Sequence, residues 1–158
     1  MGMFDDVICE YPLPLPENPR GYKGSKHFQT KDLENTLSKY EIRENGTLWV
    51  KNYLLKYHDG DPNGKTFAEK APRSEVIEEW YDRVKYDGDL RIYDYQQTNG
   101  GFDYDIEYII TFRRYKVKKV VLSSFNAHCN KSRLKKQEEY EKELKRIYEF
   151  KQTKRYRY

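Results

Sequence analysis

The stretch Tyr104, Ile106, Tyr108, Ile110 and Phe112, interleaved with Asp105, Glu107, Ile109 and Thr111, constrains the fold more than any other part of the chain. A period of two places five large apolar side chains on one face, which is the signature of a strand with one buried side. Lys116–Phe125 follows directly, with Val117, Val120, Val121 and Leu122 to bury, and reads as its returning partner. Upstream, Asn99-Gly100-Gly101 separates the strand from Leu90–Tyr95, and Asp87-Gly88 precedes that segment. Asn45-Gly46 sits between Tyr40–Arg43 and Leu48–Lys51. Asn-Gly and Asp-Gly supply the positive φ that tight hairpins require. With Phe4–Tyr11 as a first strand, the pattern predicts an α+β, mostly β fold: an antiparallel, hairpin-built sheet or small barrel.

Pro12, Pro14, Pro16 and Pro19 hold the next segment extended. Pro16-Glu17-Asn18-Pro19 matches the bare pattern of an SH3-type ligand, but a rigid loop capping the sheet is the preferred reading. Residues 74–85 are ambiguous. Val76, Ile77, Trp80, Tyr81 and Val84 fit a helical stripe capped by Ser74, whereas Val76, Trp80, Val84 and Tyr86 fall on one strand face. A strand from about Trp80 is favoured, with Asp87-Gly88 as its hairpin turn. Ser132–Phe150 is the convincing helix: Tyr140, Leu144, Ile147 and Tyr148 share a side with Leu134 at its edge, and Glu138/Lys142 and Glu141/Lys145 are spaced four apart. The expected ending is therefore one C-terminal amphipathic basic helix.

At 158 residues the chain is one domain's worth, with a β-rich body over 1–125 and a basic helix and tail over 126–158. Only 37% of residues are hydrophobic and 35% are charged, a balance that would suit disorder were it not for 16 Tyr, 7 Phe and 2 Trp. Aromatics each bury about 150–250 Å², so a thin core faced by aromatics, with hydroxyls reaching water, is expected. No apolar run approaches the roughly 20 residues needed to cross a bilayer, and Met1–Cys9 does not read as a signal peptide. Cys9 and Cys129 show no metal or redox spacing and read as two buried free thiols in a reducing cytoplasm.

Most chemical motifs fail on inspection. Asp59-Gly60-Asp61-Pro62-Asn63-Gly64 opens like a calcium loop, but its twelfth position is Lys70 rather than a bidentate Glu, so it reads as a polar connection. His128-Cys129 are adjacent, not spaced as metal ligands, and no third group orients a Cys–His pair. Pairs such as Asp103/Asp105 arise readily among 26 acids and read as a solvated strand face, and no Lys-Ser/Thr follows Gly100-Gly101 to make a phosphate loop. No catalytic residue, no metal and no cofactor is predicted.

Charge gives the remaining signal. Residues 113–158 carry 16 Lys/Arg against 5 Asp/Glu, whereas residues 1–112 carry 14 against 21, for a net +4 overall. Arg113, Arg114, Lys116, Lys118 and Lys119 form one dense cluster, and Lys131, Arg133, Lys135 and Lys136 load the first turns of the helix, the end at which the macrodipole favours acids. Lys154-Arg155-Tyr156-Arg157-Tyr158 mixes cations with aromatics, a combination that grips phosphates and stacks on bases. The candidate partner-binding residues are Arg113, Arg114, Lys116, Lys118, Lys119, Lys131, Arg133, Lys135, Lys136, Arg155 and Tyr156. The competing reading is a solubilising helix laid against the acidic body.

Met3-Phe4-Asp5-Asp6-Val7-Ile8-Cys9-Glu10-Tyr11-Pro12-Leu13-Pro14 resembles the opening of an uncharacterised family of small phage, prophage and bacterial proteins. Phe28-Gln29-Thr30-Lys31-Asp32-Leu33, the Tyr40-Glu41-Ile42 strand and the Asn45-Gly46-Thr47-Leu48 turn resemble its second block. The resemblance covers about the first fifty residues and implies phage or prophage origin, with no activity attached. The function expected is a non-enzymatic phage accessory protein that binds a host protein or complex, in the manner of a counter-defence inhibitor. The alternatives are a nucleic-acid-binding accessory protein that uses the basic C-terminal region, and a virion or assembly component.

Overall fold

The computed structural model describes residues 2–155. The element order is β1 (Asp5–Cys9), β2 (His27–Thr30), β3 (Lys39–Ile42), β4 (Leu48–His58), α1 (Phe67–Lys70), β5 (Arg73–Arg83), β6 (Gly88–Gln96), β7 (Phe102–Arg113), β8 (Lys116–Cys129) and α2 (Lys131–Arg155). The eight strands form one sheet in the order β5-β4-β3-β1-β2-β6-β7-β8. The mostly β fold with a C-terminal helix is as predicted, but the sheet is open and mixed, neither wholly antiparallel nor a closed barrel. β1 pairs antiparallel with β2 on one flank and parallel with β3 on the other, Val7 lying opposite Tyr40. The sheet curls until the β3–β4 turn meets β8, where the Val117 amide donates to the Gly46 carbonyl at 2.9 Å. Gly46 has a φ of 82° there, and a Cβ would lie 3.2 Å from the Val117 nitrogen, so the turn needs its glycine twice over.

The alternating strand builds the core as its pattern demands. Tyr104, Ile106, Tyr108, Ile110 and Phe112 are all buried, together with Leu90 and Ile92 of β6, Val7 of β1, Phe28 of β2 and Ile42 of β3. The proline segment caps this face, as expected of a rigid loop, and Tyr22 at its end enters the core. The hydroxyls of the core residues Tyr104 and Tyr108 bond to backbone rather than reaching for water, contrary to expectation. Tyr108 donates to the Pro14 carbonyl and Tyr104 to the Arg20 carbonyl, each at 2.6 Å. A proline-rich stretch lacks amide donors but keeps its carbonyls, and buried phenols are the groups that satisfy them.

Asp5 organises the other side of β1. Its buried carboxylate accepts from the amides of Asn35, Thr36 and Ser38 at 2.7, 3.0 and 2.9 Å, which folds residues 32–38 into the loop that delivers β3 beside β1. Asn35 and Leu37 take positive φ in that loop. Thr30 and Asp32 bind the backbone of Arg91, stitching β2 to β6.

The Asp87-Gly88 hairpin is not formed. β5 pairs along its length with β4, from Trp49 opposite Arg83 to His58 opposite Arg73, and β6 lies between β2 and β7. Asp87-Gly88 therefore begins a crossover. β5 is a strand from Arg73, earlier than the expected Trp80, because β4 runs to His58 and offers it pairing partners. The connection between them is polar and turns on the capping box of Thr66 and Glu69. Gly60 packs against the backbone of Lys70, where a Cβ would collide. Of the two thiols, Cys9 is buried and Cys129 is exposed, so only one fits the expected pair.

Candidate partner-binding surfaces

β7 and β8 are joined by the two-residue turn Arg114-Tyr115, with φ values of 53° and 65°. Left-handed backbone costs an ordinary residue roughly 1–2 kcal/mol, and two successive positions pay it here. Two side chains hold the turn: Asp87 accepts from the Tyr115 amide at 2.9 Å, and Arg83 donates to the Tyr115 carbonyl at 3.1 Å. Arg113, Arg114, Lys116, Lys118 and Lys119 all surround it and are exposed. Lys118 is the extra residue of a β-bulge, since Lys119 lies opposite Thr111 and Val117 opposite Phe112. A second bulge follows at Ser123, and with the lysines it guards the β8 edge against unwanted pairing.

The second basic cluster is not beside the first. Lys131, Lys135 and Lys136 are exposed on the first turns of α2. Lys119 and Lys131 lie twelve positions apart with the extended β8 between them, and at about 3.3 Å each those positions separate the two clusters by roughly 40 Å. Arg133 is engaged internally. Its Nε and Nη2 donate to the two oxygens of Asp103 at 2.6 and 2.8 Å, and Nη2 also donates to the Thr98 carbonyl at 2.6 Å. Asn130, buried at the entry to α2, adds bonds from Nδ2 to Thr98 and Asp103, and the Thr98 amide donates to Asp103 as well. The Arg133 guanidinium, with Asn130 and the Thr98 amide, holds the Asp103 carboxyl well below its usual range. Asp103 thereby supplies from β7 the acid that the first turn of α2 lacks. Arg155 is exposed at the end of α2, and Tyr156 lies outside the described residues.

Beyond that anchor α2 is bare: none of its described residues is buried, and Tyr140, Leu144, Ile147 and Tyr148 are exposed. The helix laid on an acidic body is thus not what the structure contains. The outer part of the β4–β5 ribbon is bare as well. Tyr53, Leu55, Tyr57, Val76 and Tyr81 share one of its faces, and Leu54 and Trp80 lie on the other; all are exposed, Tyr57 to 64%. Phe67 on α1 at the tip is 88% exposed. This arm was missed from sequence, although Leu54-Leu55 and Val76-Ile77 carry the signal: adjacent apolar residues in a strand point to both faces, a pattern suited to a covered strand rather than to a bare ribbon. Tyr104 and Tyr108 are core, as the alternation of β7 requires.

Chemical groups offer less. Burial pushes the Cys9 thiol up to about 11, and it donates to the Tyr11 carbonyl rather than to a base. His128 lies on β8, with three strands between it and β1 in the sheet order. An open groove of about 660 Å³ runs between the end of β1 and the proline segment, but its charged pair, Lys26 and Glu10, is closed at 3.0 Å. Among the described residues no cluster of three metal-ligating side chains occurs, and no helix is long and apolar enough to cross a membrane. Comparison with known proteins finds no matching family model, no similar curated protein and no similar solved structure.

Proposed function

We propose that this chain is a non-enzymatic accessory protein, of phage or prophage origin, that acts by occupying the surface of a host protein or complex, as a counter-defence inhibitor does. The observation that carries the reading is the bare β4–β5 arm. Two-stranded ribbons are marginal by themselves in water, and clustered exposed apolar residues mark interaction surfaces. An arm that keeps Tyr53, Leu54, Leu55, Tyr57, Val76 and Ile77 uncovered gains most from a partner that covers them. Aromatic anchors of this kind dominate interface energies.

The test is capture from host lysate with nuclease present, followed by reconstitution with the purified partner. The wild-type chain is expected to form a complex of fixed stoichiometry. Leu55→Asp with Tyr57→Asp is expected to weaken it by about a hundredfold, equivalent to ~2.7 kcal/mol for losing two anchors. The melting temperature of the body should hardly change, because these side chains pack on nothing there. Undiminished capture by the arm variant, or loss of capture on nuclease treatment, would overturn the reading.

A further inference from the structure

A separate surface carries an inference beyond that reading. We propose that the β7–β8 turn is a docking site for the phosphate backbone of duplex nucleic acid. The turn is built against its own conformational preference. Elsewhere the chain places Asn-Gly or Gly-Gly where a hairpin reverses, as at Asn45-Gly46 and Asn99-Gly100-Gly101. Among the described residues, only here does a tight turn set two successive side-chain-bearing residues, Arg114 and Tyr115, in the left-handed region. Strain of this kind persists only where the surroundings impose it, and it concentrates at functional positions. Arg83 and Asp87 impose it by gripping both ends of the Tyr115 backbone.

What the strain presents is charge with an aromatic at its centre. Arg113, Arg114, Lys116, Lys118 and Lys119 are exposed around Tyr115, itself 41% exposed. Among the described residues none of the five is held in an ion pair. The two acids near the turn accept from neutral donors, Asp87 from the Tyr115 amide and Asp89 from the Thr111 hydroxyl at 2.7 Å, and among the described residues neither is ion-paired with the five cations. Unpaired cations closely spaced around a turn that Arg83 and Asp87 hold in place suit a regular array of phosphates. Val117 and Val120 lie opposite the core residues Phe112 and Ile110, and the bulge at Lys118 fits two successive lysines between them without turning either toward the core, which keeps both available at the surface.

Binding of a labelled, mixed-sequence DNA duplex by the full chain across a salt series tests this. Affinity is expected to fall with salt on a log–log plot at about 0.9 per phosphate contacted. Lys116→Glu, Lys118→Glu and Lys119→Glu together should reduce that slope by about three. Arg114→Asn with Tyr115→Gly separates the role of the turn from its fold: this variant should melt higher than wild type while losing about one unit of slope. Should the triple reversal fail to fold, Lys118→Ala with Lys119→Ala is read in its place, with about two units lost. No duplex binding at low salt, an unchanged slope in these variants, or a lower melting temperature for the turn variant would overturn the proposal. So would equal binding to vesicles of anionic lipid, which would make the phosphate source a headgroup. Loss of duplex binding while arm-dependent capture survives would show that the two surfaces act independently.

Discussion

Replacing Asp5 by Ala is expected to lower stability by about 3–5 kcal/mol, read by urea or thermal unfolding. Removing one partner from a buried hydrogen bond costs about 1–3 kcal/mol per group left unsatisfied, and here three amides, of Asn35, Thr36 and Ser38, lose the same acceptor. Water reaches part of the relaxed loop, which holds the total below the sum of the maxima. At this chain length about 1 kcal/mol corresponds to roughly 2–4 °C, so a fall of the order of 10 °C is expected. Asp5→Asn should cost less. It retains the oxygen that faces Thr36 and Ser38 but turns an amide donor toward the Asn35 amide. The consequence reaches past the loop, because residues 32–38 bring β3 alongside β1 as the one parallel pair in the sheet. An Asp5→Ala protein that melts with the wild type would show that the loop holds its shape without the carboxylate, positive φ at Asn35 and Leu37 included.

Neutralising Asp103 is expected to unfasten α2 without unfolding the sheet. The carboxylate accepts from Arg133, Asn130 and Thr98, so Asp103→Asn removes the charge that faces the guanidinium and leaves its paired donors only one amide oxygen. Amide exchange over the first turns of α2 should accelerate at least about tenfold, while Ile106 to Ile110 in the core stay protected. Arg133→Lys should behave similarly, since a single ammonium cannot reproduce the two-pronged contact. Acid should act as the mutation does. The folded carboxyl titrates below its unfolded value, so its contribution is complete above the ordinary Asp range near pH ~4 and fades as pH falls through the depressed folded value. Protection at the start of α2, taken relative to the intrinsic exchange rate at each pH, should therefore fall below about pH 4 in the wild type and show no such step in Asp103→Asn. Equal protection in both proteins would mean that α2 is held by something other than this ion pair.

Arg133 illustrates how far a run of cations can be read. In sequence it sits with Lys131, Lys135 and Lys136 and looks like one more solvated charge. Its partner lies thirty positions earlier among Asp103, Asp105 and Glu107, where alternation marks which acids face away from the apolar side but not which of them meets a helix. Position at the start of β7, beside the point where β8 hands the chain to α2, makes Asp103 the one. The two basic clusters likewise look continuous until the length of β8 is known.

What the chain announces by itself is whatever local geometry encodes. A period of two from Tyr104 to Phe112 demands a strand with one buried face. Asn-Gly calls for the positive φ that Gly46 takes at the β3–β4 reversal, Asn99-Gly100-Gly101 marks the β6–β7 reversal although neither glycine takes positive φ there, and four-residue spacing marks α2. Each follows from the conformational limits of a few adjacent residues. Pairing follows from no such limit. A strand presents the same amides and carbonyls to any neighbour, so nothing around Trp80 states that β5 belongs to β4 rather than to β6, and nothing in β1 states that one flank is parallel. Those choices were settled by tertiary terms: three loop amides closing on Asp5, two tyrosine hydroxyls closing on the proline segment, and a β4 long enough to carry β5 out as an arm. That arm and the strained Arg114-Tyr115 turn follow from the same cause, because only the folded sheet decides which apolar residues stay uncovered and which backbone is forced into a costly conformation.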